Sequence, residues 1–357
     1  MSLHFHPLRV RELQRDTDEA VIVSFDVPEP LRETFAFTPG QYLTLRASVG
    51  EQDLRRSYSI CAGADDGELR VGVRLLPGGA FSQWVNADLK PGDSVQVFPP
   101  QGHFHVPFDA NARRHVVGIA AGSGITPILS IMKTLLAREP HSRFTLIYGN
   151  RRQASTMFRE EIEDLKNRYL TRLALHHVFS REQQDAPLSA GRIGRAKLAE
   201  FFGPLIDPSG IDQVFVCGPF EMNDEAEAAL LAAGVPPERI HIERFGAPPL
   251  GAAPPHPVLA GDAPLARVTV IRDGQRREIE FAASDPSLLD AAARAGMDVP
   301  YSCKSGVCST CRAKLLEGEV RMDRNFALEG AEVQAGFILT CQSHPLTERV
   351  VISFDDR

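Results

Sequence analysis

The chain has 357 residues, 43% hydrophobic and 24% charged, with a net charge of −7. That length and balance fit two or three globular domains with more than one apolar core. The acidic balance excludes the basic face that nucleic-acid binding needs, and the longest uncharged run, 116–132, is too short and too rich in Gly, Ser and Thr to span a membrane.

The start, MSLHFHPLRVREL, lacks the long apolar core of an export signal, so a cytoplasmic protein with reduced thiols is expected. Residues 5–107 carry short β-branched or alternating runs such as Ala20–Phe25 and Tyr42–Leu45. Pro39-Gly40, Asp66-Gly67, Pro77-Gly78-Gly79 and Pro91-Gly92-Asp93 punctuate them, the rhythm of an antiparallel β-barrel. Within it, Arg56-Ser57-Tyr58-Ser59 and Gly79-Ala80-Phe81-Ser82 together offer a cation, an aromatic face, hydroxyls and a glycine turn. A phosphorylated ring cofactor needs those groups; taken separately, Tyr58 is a strand aromatic and Gly79 a hairpin turn.

From residue 115 the pattern becomes strand then helix, which argues for a parallel α/β sheet. Strand 115–120 precedes helix 128–137, 144–148 precedes 158–169, and 214–217 precedes 221–233. Gly122-Ser123-Gly124-Ile125-Thr126-Pro127 lies between the first strand and helix, where glycines let the backbone approach a phosphate. It lacks the third glycine of the dinucleotide fingerprint, and a ligand-free tight turn would read the same. Val216-Cys217-Gly218-Pro219 ends a second strand at the same sheet edge, where α/β ligands bind. Arg151, Arg152 and Arg181 follow other strands and could meet an extra phosphate, favouring NADPH over NADH; each alone reads as a surface charge.

Residues 247–264 hold six Pro among eighteen residues and only one charge, Asp262, so they read as a spacer. Beyond it, Asp285-Pro286 is expected to cap a helix that Gly296 ends. Cys303, Cys308, Cys311 and Cys341 then follow the C-x4-C-x2-C-plus-one spacing of plant-type [2Fe–2S] ferredoxins. A structural zinc site would present two close pairs, and six cysteines in this length are sparse for a disulfide framework. Cys61 falls outside the pattern.

With these motifs in place, nearly the whole chain resembles the ferredoxin–NADP reductase family with a fused C-terminal ferredoxin. The residues that carry the resemblance are Phe37–Tyr42, Arg56-x-Tyr58-Ser59, Pro100–Phe104, Gly79–Ser82 beside Val73-Arg74, Gly122–Pro127 and Cys217–Pro219. The resemblance implies a FAD-binding barrel at 1–108, an NAD(P)-binding α/β domain at 109–246, the Pro-rich linker at 247–264, and an α+β β-grasp ferredoxin at 265–357. It implies FAD, NADPH and a [2Fe–2S] cluster, with Ser59 near the reactive flavin nitrogen, Cys217 and Thr126 near the nicotinamide, and Glu243 as a proton relay.

Phe179–Gln183 resembles the segment that holds the 2′-phosphate in NADPH-selective members, so Asn150, Arg151, Ser180 and Arg181 join the cofactor residues. Family members end on an aromatic that covers the flavin; here Phe245 takes that place, with a linker and another domain after it. Tyr148–Arg151, Phe158–Glu161 and the fused ferredoxin are similar to the reductase subunits of phenylacetyl-CoA epoxidases. That implies a diiron oxygenase as electron acceptor, with a Rieske-type aromatic-ring or steroid hydroxylase as the alternative. A redox sensor that holds flavin and cluster without turnover is the non-enzyme alternative.

Overall fold

A computed structural model describes residues 4–247 and 256–356; residues 248–255 of the expected linker lie outside the described residues. The chain divides into two compact units, Phe5–Phe245 and a second built from Gly246 onward.

The first unit opens with β1 (His6–Thr17), β2 (Ala20–Asp26), β3 (Tyr42–Val49), β4 (Gln52–Ser59), β5 (Leu69–Arg74), α1 (Ala80–Ala87) and β6 (Ser94–Val97). These strands form one antiparallel sheet in the order β4-β3-β6-β1-β2-β5. An antiparallel bridge between Ile60 and Val71, with the Cys61 N–H on the Arg70 carbonyl, joins the two ends and closes the expected barrel. Alternation sets the inside: Leu8 and Val10, Val21, Val23 and Phe25, Leu43 and Leu45, Val71 and Val73, Val95 and Val97 pack together. Helix α1 packs Phe81 and Val85 into that interior.

The unit continues with β7 (His115–Ala121), α2 (Ile125–Arg138), β8 (Arg143–Asn150), α3 (Arg159–Arg168), β9 (Leu173–Phe179), α4 (Arg195–Ala199), β10 (Gln213–Gly218), α5 (Phe220–Ala232) and β11 (Ile240–Arg244). All neighbours pair in parallel, in the order β11-β10-β7-β8-β9. Alternate residues of the strands feed two cores: Val116, Phe215 and Cys217 one face, Val117, Val214 and Val216 the other. Both faces are therefore apolar, as a covered parallel sheet requires. Helix α2 starts earlier than expected, at Ile125, because Pro127 sits in its first turn, where no N–H bond is lost.

The first of these cores does not stop at the sheet. Ala20, Ile22 and Cys61 of the barrel side join Phe104, α2, Tyr148, Met157 and Phe158 in one cluster. Each large side chain buried there contributes about 1.5–3 kcal/mol. Polar contacts stitch the same seam: Ser130 Oγ donates to the Ala62 carbonyl (2.5 Å), Ala64 N–H to Thr134 Oγ1 (3.0 Å), and Arg70 pairs with Glu161 (2.5 Å). Phe158 adopts φ 55°, strained for a bulky residue, and its N–H is held by the Asp16 carboxylate at 3.0 Å.

The second unit contains β12 (Leu265–Arg272), β13 (Gln275–Ala282), α6 (Leu288–Arg294), β14 (Arg312–Glu317), β15 (Val320–Met322), α7 (Gly330–Gln334), β16 (Phe337–Leu339), β17 (Ser343–Pro345) and β18 (Arg349–Ser353). Its main sheet runs β13-β12-β18-β14-β16, with β12 parallel to β18, and β15 pairs separately with β17. Helix α6 lies against it through Leu288, Leu289, Ala291 and Ala292, giving the α+β ferredoxin arrangement.

The expected Asp285-Pro286 cap is not the one formed. Ser287 caps α6, its hydroxyl accepting the Asp290 N–H at 3.2 Å, while Asp285 is taken by Arg294 and the Ala282 N–H. Gly296, at φ 73°, follows the helix end as expected. Replacing Ser287 by Ala should cost the second unit about 1 kcal/mol in urea unfolding. Pro286→Ala should stay within about 0.5 kcal/mol of the parent; the reverse ranking would restore the original cap.

Candidate functional site

The C-terminal edge of the parallel sheet is built by backbone packing. A Cβ on Gly124 would stand 2.0 Å from the Cys217 carbonyl oxygen, so the turn after β7 and the end of β10 touch main chain to main chain. Gly122, at φ 55°, leaves only 2.7 Å between such a Cβ and the Arg74 guanidinium, which reaches across from β5. Tyr148 Oη donates to the Gly122 carbonyl (3.0 Å), and Thr126 Oγ1 to that of Ser123 (2.9 Å), fixing the turn from below. No side chain caps α2; the Ile125 N–H is held by the Gly122 and Ser123 carbonyls and Pro127 has none, so a phosphate here would be met by the glycine turn that precedes the helix. Pro127 is buried in that turn, and Gly218 and Pro219 lead from β10 into α5.

Ser59, Cys217 and Glu243, separate in sequence, meet at this edge. Cys217 and Glu243 are register partners on β10 and β11, and Ser59 Oγ, at the end of β4, donates to Glu243 Oε2 at 3.1 Å. Asn223 Nδ2 holds the Glu243 backbone carbonyl at 3.0 Å. Asn223 was not anticipated, since an Asn in the first turn of a helix carries no sequence signal for this task. Dense protein around the Glu243 carboxyl pushes its pKa up to about 8, against the Ser59 hydrogen bond that lowers it. Burial, then the Glu243 charge, pushes the Cys217 thiol up as well. The edge thus sets a carboxyl with a raised pKa as the acceptor of the Ser59 hydroxyl.

On the barrel, Gly79 precedes α1 with no side-chain cap, and Ala80, Phe81 and Ser82 form the helix's first turn. Their N–H groups suit a pyrophosphate. The Ser82 hydroxyl closes the loop by donating to the Gly79 carbonyl (3.0 Å) and accepting from the Leu76 N–H (3.1 Å). Phe81 and Val73 are buried in the barrel core, so they can offer a ligand only their backbone. Tyr58 is half-buried, its ring 6.0 Å from that of Phe81; Ser57 Oγ pairs with Thr44 Oγ1 at 3.1 Å, and Arg56 is exposed. Arg74 is ion-paired with Glu19 at 2.9 Å.

At the far side of the sheet edge, the Ser180 N–H bonds the Asn150 carbonyl (3.0 Å) and the Arg181 N–H that of Arg151 (2.9 Å). Asn150-Arg151 and Ser180-Arg181 therefore share one corner, with both guanidinium-bearing residues exposed. Phe245 stands at the end of the unit, 44% exposed.

In the second unit Cys303, Cys308 and Cys311 lie on the loop between α6 and β14, and Cys341 follows β16. Thr340 anchors that fourth residue: its N–H and hydroxyl both bond the Cys311 carbonyl, at 3.2 and 2.9 Å. Cys308 Sγ is 3.1 Å from Cys303 Sγ, and no disulfide forms. The Ser305 N–H points at Cys303 Sγ and Gln342 Nε2 at Cys341 Sγ, each at 3.4 Å. Bonds from the Cys308 and Cys341 thiols push Cys303 down, while donating those bonds and burial push Cys308 and Cys341 up. Four converging sulfurs with N–H donors aimed at them fit an iron–sulfur cluster.

Family models match the same three parts: an oxidoreductase FAD-binding domain at 7–106, an oxidoreductase NAD-binding domain at 119–228, and a 2Fe-2S iron-sulfur cluster binding domain at 270–346. The chain is 46% identical to one subunit of the 1,2-phenylacetyl-CoA epoxidase of Escherichia coli K12 over 98% of both chains. It is 33% identical to the ferredoxin reductase component of the 3-ketosteroid-9-alpha-monooxygenase of Rhodococcus rhodochrous, covering 97% of this chain and 96% of that one. Its fold matches phthalate dioxygenase reductase with a TM-score of 0.56 at 24% identity, covering 98% of each chain. Among the described residues no helix is long and apolar enough to cross a membrane.

The raised Glu243 pKa has a thermodynamic signature. Between its ordinary value of 4.5 and about 8 the folded state binds one proton more than the unfolded state. Stability of the flavin-free first unit should therefore fall as pH rises through that window. Glu243→Gln should remove the fall in urea unfolding; a stability difference between the two proteins that does not change with pH would refute the buried-proton assignment.

Proposed function

Because the chain belongs to the family of FAD- and [2Fe–2S]-containing reductase components of oxygenases, we propose that it carries electrons from NADPH to a diiron phenylacetyl-CoA epoxidase. The 46% identity to the Escherichia coli epoxidase subunit, running the length of both chains, carries the choice of acceptor. The family fixes the coarser statement: an oxidoreductase that uses a pyridine nucleotide, FAD and a [2Fe–2S] cluster to feed a separate oxygenase component. FAD supplies the link between a two-electron hydride donor and a one-electron cluster.

The chain's own residues do the rest. The first-turn N–H groups of α1 and the glycine turn before α2 receive phosphates, leaving reactive rings to meet at the edge where Ser59, Cys217 and Glu243 converge. Glu243, its pKa raised, accepts from the Ser59 hydroxyl and stands ready to exchange a proton through it, and Cys217, kept neutral by burial, adds no competing charge. The preference for NADPH rests on the corner that joins Arg151 to Arg181, where two guanidinium groups can grip a 2′-phosphate in a way a ribose hydroxyl does not reward. A cytoplasmic location is part of this proposal, since cluster thiolates and a pyridine nucleotide supply belong to a reducing compartment.

A second acceptor class, a steroid-hydroxylating oxygenase, is favoured by the 33% identity to a ketosteroid monooxygenase reductase component. Reconstitution separates the two: the reduced protein should support turnover of phenylacetyl-CoA with diiron epoxidase subunits and fail with a steroid oxygenase component. Steady NADPH oxidation with cytochrome c or ferricyanide distinguishes a reductase from a redox sensor.

Cys308→Ser should abolish the cluster's visible absorption and leave NADPH reduction of the flavin intact, as expected for two separate compact units. Arg181→Ala should raise KM for NADPH by about tenfold or more, the loss of one charge-assisted contact, and leave KM for NADH nearly unchanged. Equal effects on both nucleotides would remove Arg181 from the 2′-phosphate.

A further inference from the structure

Away from the four cysteines, the second unit holds a buried polar cluster that electron transfer does not use. His256 Nδ1 and His344 Nε2 both lie on one oxygen of Asp323, Oδ2, at 2.8 and 2.9 Å. The three side chains are 15%, 4% and 6% exposed, in the order His256, His344, Asp323. One ligand atom from each lies within 4.8 Å of the others. The other Asp323 oxygen is held by Arg321, whose guanidinium is matched in turn by Asp262 at 2.5 and 2.6 Å and by the Pro257 carbonyl at 2.6 Å. Asp262 balances Arg321, so Asp323 Oδ2 is left to the two imidazoles alone.

We propose that His256, Asp323 and His344 form a binding site for a divalent ion of the zinc class. Two imidazole nitrogens and one carboxylate oxygen are the ligand set that borderline ions prefer over the hard Mg²⁺ and Ca²⁺. The N–O separations already approach those spanned by ligands at about 2.0–2.2 Å from a common ion, so entry requires little movement of the three side chains. Arg321 on the second carboxylate oxygen plays the outer partner that orients a ligating carboxylate. Against the burial that would raise it, bonds from His256, Arg321 and His344 hold the Asp323 carboxyl below its ordinary range, so a charged ligand is ready at neutral pH.

The placement gives the ion a task. His256 is the first described residue after 248–255, whereas Asp323 and His344 follow and form part of the β15–β17 pair, only three residues from Cys341. A bound ion would cross-link the end of the proline-rich segment to the strand pair behind the fourth cluster cysteine.

The test uses the full-length protein with flavin and cluster in place, stripped of loosely bound metal and dialysed against Zn²⁺, with zinc and iron measured together. One zinc per chain with iron unchanged is expected in the parent. His256→Ala, on the chain segment rather than in the core, should weaken zinc binding by more than the roughly 10–100-fold that loss of an outer partner costs. Asp323→Asn should do the same, and zinc should raise the melting temperature of the parent but not of His256→Ala. If Asp323→Asn does not fold, His256→Ala decides. No zinc uptake, uptake unaffected by His256→Ala, or uptake matched by loss of iron would each overturn the site.

Discussion

The apolar core shared by barrel and parallel sheet is the constraint on which the reductase chemistry rests. Ala20, Ile22 and Cys61 pack into the same cluster as α2 and Phe215, so the faces that meet at this seam are buried only together. The Ser59–Glu243 contact crosses that seam, with one partner from a barrel strand and the other from the last parallel strand. The upward push on the Glu243 pKa comes from where the two layers close. A change in their fit would therefore reach the carboxyl without touching it.

The second unit solves a different problem by a similar economy. Four sulfurs must approach one another, although three come from a loop with little regular structure. The loop is held from outside: Thr340 grips the Cys311 carbonyl, Gln342 Nε2 reaches the Lys304 carbonyl at 3.2 Å, and Phe326 N–H bonds Gly306 at 2.9 Å. Lys304 and Gly306 both adopt positive φ, which turns the loop around the space the sulfurs face. The distant fourth cysteine thus arrives with its own set of anchors.

Local chemistry made much of this readable from the chain. The barrel and the parallel sheet followed from turn residues and strand–helix alternation, and the cysteine quartet from spacing, because each is encoded within a few neighbouring residues. What escaped depends on partners far apart in sequence. Asp285 looked like a helix cap until Arg294 and the Ala282 N–H claimed it, leaving Ser287 to do the capping. Asn223 behind Glu243, Asp16 under Phe158 and the His256–Asp323–His344 cluster had no sequence signature, since each joins residues that only the fold brings together. Glu243 itself was reached by resemblance; its raised pKa required the surrounding packing.

The shared core also limits how such a chain can be reassembled in evolution. A gene break near residue 108 would cut through one apolar cluster and leave both halves with exposed hydrophobic faces. A break at Gly246 falls between the two compact units, so the electron-receiving half and the cluster-bearing half can be exchanged, reordered or attached to new proteins as finished parts. The unit that inherits together is therefore the flavin–nucleotide pair. The ferredoxin is the piece that selection is free to swap.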